Sequence, residues 1–172
     1  MTTEQKGLNS LMVSVSDLIA PAGFTYYQDS TDGSWFLDPR DDFIYHLFVN
    51  RNAYILSQSD RGQPEQAVFT TSSLGAMELF VTHLLCEGYR EEMDLPRLLV
   101  VPVPLTPNDV APGFLLTQQN HIWTLIDEST GSKFFSNHIN LVKFSHYSKL
   151  SPRQLRDSCL SENGKPPFFI AS

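Results

Sequence analysis

Residues 43–59 read FIYHLFVNRNAYILSQS. Two runs rich in aromatic and β-branched residues, 43–49 and 54–59, flank the polar triplet Asn50-Arg51-Asn52. That pattern predicts two strands joined by a turn. Towards the N-terminus, residues 24–28 and 34–37 repeat it around Asp32-Gly33, a favoured tight-turn pair, and predict a β-hairpin. Beyond the turn at Asp38-Pro39-Arg40-Asp41 comes the 43–59 pair, and residues 66–70 supply a fifth run, so an antiparallel meander is expected. Further on, residues 114–117 and 122–126 flank Gln118-Gln119-Asn120, and residues 133–135 follow the turn at Ser129-Thr130-Gly131. These extend the sheet to seven or eight strands.

Helices are predicted around this sheet. Leu8, Leu11, Met12, Val15, Leu18 and Ile19 recur at helical spacing before Pro21 and Gly23, which places an N-terminal amphipathic helix ending near Ala20. Ser72 or Ser73 can cap a middle helix carrying Leu74, Met77, Leu79, Phe80, Leu84 and Leu85, which is expected to end at Gly88. Residues 139–147 are amphipathic. Ser151-Pro152-Arg153-Gln154 combines an N-cap, a proline at the first helical position and a capping-box glutamine, with Asn163-Gly164 expected to stop that last helix. Between residues 96 and 112 five prolines fall in seventeen positions, which predicts an extended connector with an edge strand at residues 98–101. The fold class is α+β, in one domain spanning residues 1–172.

The chain has 172 residues, of which 41% are hydrophobic and 12% aromatic, enough for one compact core. Every apolar run is broken by proline or charge before the roughly 20 residues a membrane helix needs. The opening Met1-Thr2-Thr3-Glu4 lacks a secretory signal, so a cytoplasmic location is expected. Cys86 and Cys159 sit in amphipathic stretches and are expected as buried thiols. The net charge is −7, and residues 1–96 hold 14 acids against 5 bases, whereas residues 97–172 hold 5 against 7. An acidic surface of that kind repels phosphate backbones and disfavours nucleic acid as a partner.

No reactive constellation emerges. His46, His83, His121, His138 and His146 form no zinc-ligand pair at short spacing, so no metal or cofactor is expected. A nucleophile elbow is missing, and Cys86 falls in an apolar helix that suppresses its thiolate. Gly131-Ser132-Lys133 reads as a hairpin turn rather than a phosphate loop. The acidic pairs Asp41-Asp42 and Glu91-Glu92 are taken as solvated loop charges, since neighbours on extended chain point to opposite faces. The aromatics Trp35, Phe36, Tyr45, Phe48 and Trp123 are expected mostly in the core. What remains is polar loops on a sheet, a common setting for binding. They carry the candidate contacts Asp29 and Asp32, then Asp60, Arg61, Gln63 and Glu65, and finally Gln118 and Gln119.

Several segments form a recognisable series: Ala22-Gly23-Phe24-Thr25, Ser57-Gln58-Ser59-Asp60-Arg61 running into Pro64-Glu65, Leu95-Pro96-Arg97-Leu98, Pro112-Gly113-Phe114, and Leu141-Val142-Lys143-Phe144-Ser145-His146 with Gly164-Lys165-Pro166. In order and spacing the chain resembles the actinobacterial immunity-protein family that includes the immunity factor for the tuberculosis necrotizing toxin. The resemblance implies an intracellular, non-enzymatic antitoxin that binds a secreted toxin domain, in the best-known case an NAD-hydrolysing enzyme, 1:1 and blocks its active site. It carries no contact residue over to particular positions. The loops 60–65 and 28–32 of the acidic half are expected to make the blocking contact. A secretion or folding chaperone is the alternative, and it predicts an exposed apolar groove instead of a mixed polar surface.

Overall fold

The computed structural model describes residues 3–39, 43–60, 63–101 and 104–170. Arg40, the Asp41-Asp42 pair, Arg61 and Gly62 lie outside the described residues. In chain order the elements are α1 (Thr3–Ile19), β1 (Thr25–Gln28), β2 (Trp35–Asp38), β3 (Phe43–Asn50), β4 (Ala53–Asp60), β5 (Gln66–Thr71), α2 (Leu74–Glu92), β6 (Leu98–Leu99), a 3-10 turn (Pro107–Asp109), β7 (Phe114–Gln119), β8 (Ile122–Asp127), β9 (Lys133–Ser136), α3 (His138–Tyr147), α4 (Pro152–Cys159) and β10 (Phe169–Ile170). The expected α+β class and antiparallel sheet are both present.

Tight turns set the strand registers. Arg51 and Asn52 have φ of 48° and 65°, and Asn120 and His121 have 49° and 65°. Two consecutive left-handed residues make the turn whose twist matches that of the flanking strands. The eight-stranded sheet runs β1-β2-β3-β4-β5-β9-β8-β7, every pair antiparallel. It therefore consists of two meanders, and the second is attached by its last strand, β9, rather than by its first. The join is short, with Thr70 opposite Phe135 and Thr71 opposite Phe134. The expected edge strand shrinks to Leu98–Leu99 and stands apart from the main sheet, paired with β10, a strand that no sequence signal announced.

Core formation follows the period of two. Leu37, Leu47, Leu56, Phe69, Leu125 and Phe134 face the helices and are fully or almost fully buried. Leu8, Leu11, Met12, Val15, Leu18 and Ile19 of α1 close over one end. Phe80 of α2 stacks on Phe69 at 4.2 Å, and Phe144 of α3 lies 5.0 Å from Phe69 and 4.9 Å from Phe134. Local caps start the helices: Ser73 accepts from the Ala76 amide, Asn137 from that of Asn140, and Ser151 and Gln154 form the expected reciprocal box.

Two helix ends differ from expectation. Helix α2 runs through Gly88 to Glu92, and Glu91 and Glu92 therefore sit on its last turn instead of a loop. Gly88 is there for closeness, not for stopping: a Cβ at this position would stand 2.8 Å from the Ala22 carbonyl oxygen and 2.9 Å from the Phe24 ring. Helix α4 ends at Cys159, short of Asn163-Gly164. The buried Arg90 donates there from Nη1 to the Cys159 and Ser161 carbonyls at 2.7 and 2.8 Å, and from Nη2 to that of Glu162 at 2.9 Å. Its Nε donates to the Pro96 carbonyl at 2.8 Å. One guanidinium thus satisfies carbonyls beyond α4 and on the connector, and ties both to α2.

Several carboxylates are held below their ordinary range. Asp127 is lowered by a hydrogen bond from the Lys149 ammonium and another from Ser129. Asp17 is lowered by the two-pronged bond from Arg156, at 2.6 and 3.1 Å. For Glu87, burial opposes ionisation but is outweighed by His83 and Lys143.

Two outcomes follow for stability. Replacing Gly88 with Ala should lower the urea midpoint, because overpacking costs about 1–3 kcal/mol against a helix-propensity gain of about 1 kcal/mol. Depressed folded-state pKa values stabilise only above the unfolded carboxylate pKa near 4. The urea midpoint should therefore fall as pH drops from about 4 downward, and Asp127→Asn should flatten part of that fall.

Candidate functional site

The helices occupy one face of the sheet and leave the other open. Alternation puts Tyr27, Phe36, His46 and Ser57 in one cross-strand row on the open face. A second row holds Phe48, Ile55, Thr70, Phe135, Thr124 and Thr117. The rings form a continuous stack: Tyr27 on Phe36 at 4.9 Å, Phe36 on His46 at 4.3 Å, and His46 on Phe48 at 4.6 Å. Tyr27 is 51% exposed and Phe135 36%. Of the five aromatics expected mostly in the core, only Tyr45 is fully buried there; Trp35 and Trp123 are half-buried against it, and Phe36 and Phe48 belong to the open face. The sequence does hold a signal for this. In residues 44–49 both alternating sets, Ile44/His46/Phe48 and Tyr45/Leu47/Val49, are largely apolar, so the strand has two apolar sides.

Glu65 organises this stack. Its Oε1 lies 2.8 Å from His46 Nδ1 and also accepts from the Ser57 hydroxyl. His46 Nε2 is buried with no partner among the described residues. Glu65 is thus a positioning carboxylate for the ring, not a loose loop charge.

The strand directions decide which candidate loops can act together. The β7–β8 turn is Asn120-His121, one step beyond the expected triplet, and because all pairs are antiparallel, Asp60 and Gln63 at the end of β4 and in its turn and Gln118 and Gln119 at the end of β7 share one end of the sheet. The β1–β2 turn with Asp29 and Asp32 leaves at the opposite end, about 26 Å away along an eight-residue strand. Arg61 lies outside the described residues. Gln118 and Gln119 are exposed at the end of the edge strand β7. Asp29 and Asp32 build their own turn: Asp29 accepts from the Thr31 amide at 2.7 Å and Asp32 from the Ser34 amide at 2.8 Å. Bonds from Ser34 hold the Asp32 carboxyl below its usual range. The two acidic loops expected to block a partner jointly therefore do not form one patch.

Beside the β4–β5 turn, on the helix side, lies a cleft of about 670 Å³ whose lining includes Tyr45, Gln58, Asp60, Gln63, Gln66 and Asn140. Sequence reading missed it, since its walls come from strands, α2 and the start of α3. A second cleft of about 520 Å³ is lined by His83, Cys86, Glu87, Arg90 and Cys159 among others. Its groups serve the structure. Lys143 pairs with Glu87 at 3.0 Å, His83 stacks on Tyr147 at 4.6 Å, and burial lowers the His83 pKa and keeps the ring neutral. Both cysteines are free and buried as expected. A hydrogen bond with Cys86 and burial push the Cys159 thiol far up, which favours the unreactive protonated form. His146 Nε2 bonds the Asp109 carbonyl at 2.7 Å and His138 packs on Trp123, so both histidines fasten α3. Among the described residues no three His, Cys, Asp or Glu side chains converge on a metal position, and no helix is long and apolar enough to cross a membrane.

The fold and these surfaces define an α+β protein that offers a broad mixed face and an amide-lined end, with its buried titratable groups tied up in packing. The model of the immunity protein 61 family matches residues 18–167, and the chain belongs to that family. The immunity factor for TNT of Mycobacterium tuberculosis (strain ATCC 25618 / H37Rv) is 27% identical over 168 residues, covering 93% of each chain. Its homolog in Mycobacterium bovis (strain BCG / Pasteur 1173P2) matches with the same identity and coverage. The solved structure of Rv3902c from M. tuberculosis has a TM-score of 0.79 with this fold at 25% identity, covering 91% of this chain and 92% of that one.

The two faces should respond differently to truncation. Phe69→Ala on the helix side should cost about 3–5 kcal/mol, whereas Phe135→Ala on the open face should cost under about 1 kcal/mol. Urea unfolding of both variants measures the contrast, and equal losses would show that the open face is packed.

Proposed function

We propose that this immunity protein is the cytoplasmic antitoxin of a cognate toxin domain, which it binds 1:1, and that the toxin is an NAD glycohydrolase whose active site it occludes. The observation that carries the reading is the family match over residues 18–167, which spans the eight-stranded sheet, the 670 Å³ cleft and every candidate loop. The named relatives are immunity factors for TNT, and their correspondence over 93% of each chain supports the same role here. The sequence resemblance to the family points to NAD hydrolysis as the toxin's reaction.

The contact is assigned to the end of the sheet bearing Asp60, Gln63, Gln118 and Gln119. An enzyme that cleaves NAD must accept a pyrophosphate and commonly presents positive potential at its site. Asp60 there complements that potential, speeds association and competes with the anionic substrate. Asp29 and Asp32, at the far end, take no part in the same contact. The acidic surface also disfavours nucleic acid, and the inhibitor works by steric cover without a cofactor or chemistry of its own. The chaperone alternative fits less well: the open face sets Thr70, Thr117 and Thr124 among its rings, which suits a folded partner better than an unfolded apolar chain.

The test is co-expression with candidate toxin domains encoded next to this chain's gene, followed by co-purification and an assay of NAD consumption. A 1:1 complex with NAD hydrolysis abolished is expected. Retained hydrolysis in the complex sinks occlusion, and binding only to unfolded toxin favours the chaperone. Asp60→Lys should slow association about tenfold at low salt, with the difference shrinking at high salt, while Asp29→Lys leaves the rate unchanged.

A further inference from the structure

The 670 Å³ cleft beside the β4–β5 turn has the size of a ligand pocket, within the usual range of about 300–1,000 Å³. Its lining includes the apolar side chains of Val68, Phe80 and Leu84 and the Tyr45 ring. Like any tyrosine, Tyr45 is a protonated donor at neutral pH, and burial and the charge of Glu87 push its hydroxyl further up, to about 12. The same lining carries the carboxamides of Gln58, Gln63 and Gln66. None of these three side chains makes a hydrogen bond among the described residues. Each offers one acceptor and two donors to whatever enters.

The chemistry selects the occupant. A phosphate or carboxylate calls for a cationic lining, and among the described lining residues there is no Lys or Arg, whereas Asp60 supplies a negative charge. A purely apolar segment would leave the carboxamides unpaired. A peptide main chain needs donors and acceptors at once, and carboxamides pair with it in both directions. The chain's own C-terminal strand does not compete, because Phe169–Ile170 is paired with Leu98–Leu99. The formal charge of residues 1–96, with 14 acids against 5 bases, adds attraction for a basic side chain.

We infer that this cleft receives a protruding surface loop of the toxin, whose main chain pairs with Gln58, Gln63 and Gln66 while a basic side chain meets Asp60. The inference rests on the antitoxin reading and adds direction to it: besides covering its partner, the immunity protein is itself entered by it. Recognition of that loop then discriminates between related toxins, because each unpaired carboxamide penalises a loop that cannot satisfy it.

The experiment uses the full chain and the toxin domain that the co-expression test identifies as its partner. Gln66→Trp fills the cleft from an exposed strand position, and a photo-crosslinking side chain in place of Gln63 reports what lies above it. The expected result is an unchanged urea midpoint, a Kd weakened at least about 30-fold by Gln66→Trp, and crosslinks confined to one short loop of the toxin. If Gln66→Trp binds like the wild type and the crosslinks miss the toxin, the inserted loop is wrong although wild-type inhibition still upholds the antitoxin reading. If the wild type neither binds nor inhibits, both ideas fall together.

Discussion

The stacking of Phe69 across the β5–β9 join is the interaction on which the rest of the structure depends. Every other neighbouring pair in the main sheet is consecutive in sequence, so turn geometry helps to bring it together. The β5–β9 pair has only two registered positions and joins residues more than sixty apart. No local turn can close it, and its closure entropy must be offset by side-chain burial. Phe69 sits on β5 with Phe80 of α2 over it and Phe134 of β9 and Phe144 of α3 beside it. One aromatic cluster thus holds both meanders and two helices.

That join also determines function-bearing geometry. The antiparallel sense of the β5–β9 join places the β7–β8 turn at the same end of the sheet as the β4–β5 turn, so Gln118 and Gln119 share an end with Asp60 and Gln63. Arg90 plays a parallel part on the other side of α2: by satisfying the carbonyls of Cys159, Ser161 and Glu162 it stops α4 and lines the second cleft with structural groups. Charged side chains in the interior are thereby paired or bonded to backbone, and neutral carboxamides are left facing solvent at the sheet end. Such a division suits recognition of another protein, since neutral amides discriminate by geometry while a few surface carboxylates steer the encounter.

Much of this was legible because local rules and the global fold agree. Helix α1 announced itself through its apolar spacing, α4 through its capping box, and the hairpins through polar turn residues that tolerate left-handed backbone. Reading failed where a distant partner overruled a local signal. Gly88 resembles a stop, yet the Ala22 carbonyl and the Phe24 ring demand a glycine inside the helix. Phe36 and Phe48 look like core residues, yet among the described residues no second layer covers their face. Glu65 looks like a loop charge, yet His46 and Ser57, which are 19 and 8 positions away, employ it.

The sequence by itself determined most of the elements but not β10 or the ends of α2 and α4, together with the α+β class, the buried thiols and the family, because these rest on short-range periodicity, turn chemistry and motif order. Only the tertiary structure decided which loops stand together, which sheet face stays open and where a cleft forms. Those depend on the order of strands in the sheet and on contacts between residues far apart in the chain, and neither is written in the spacing of neighbouring residues.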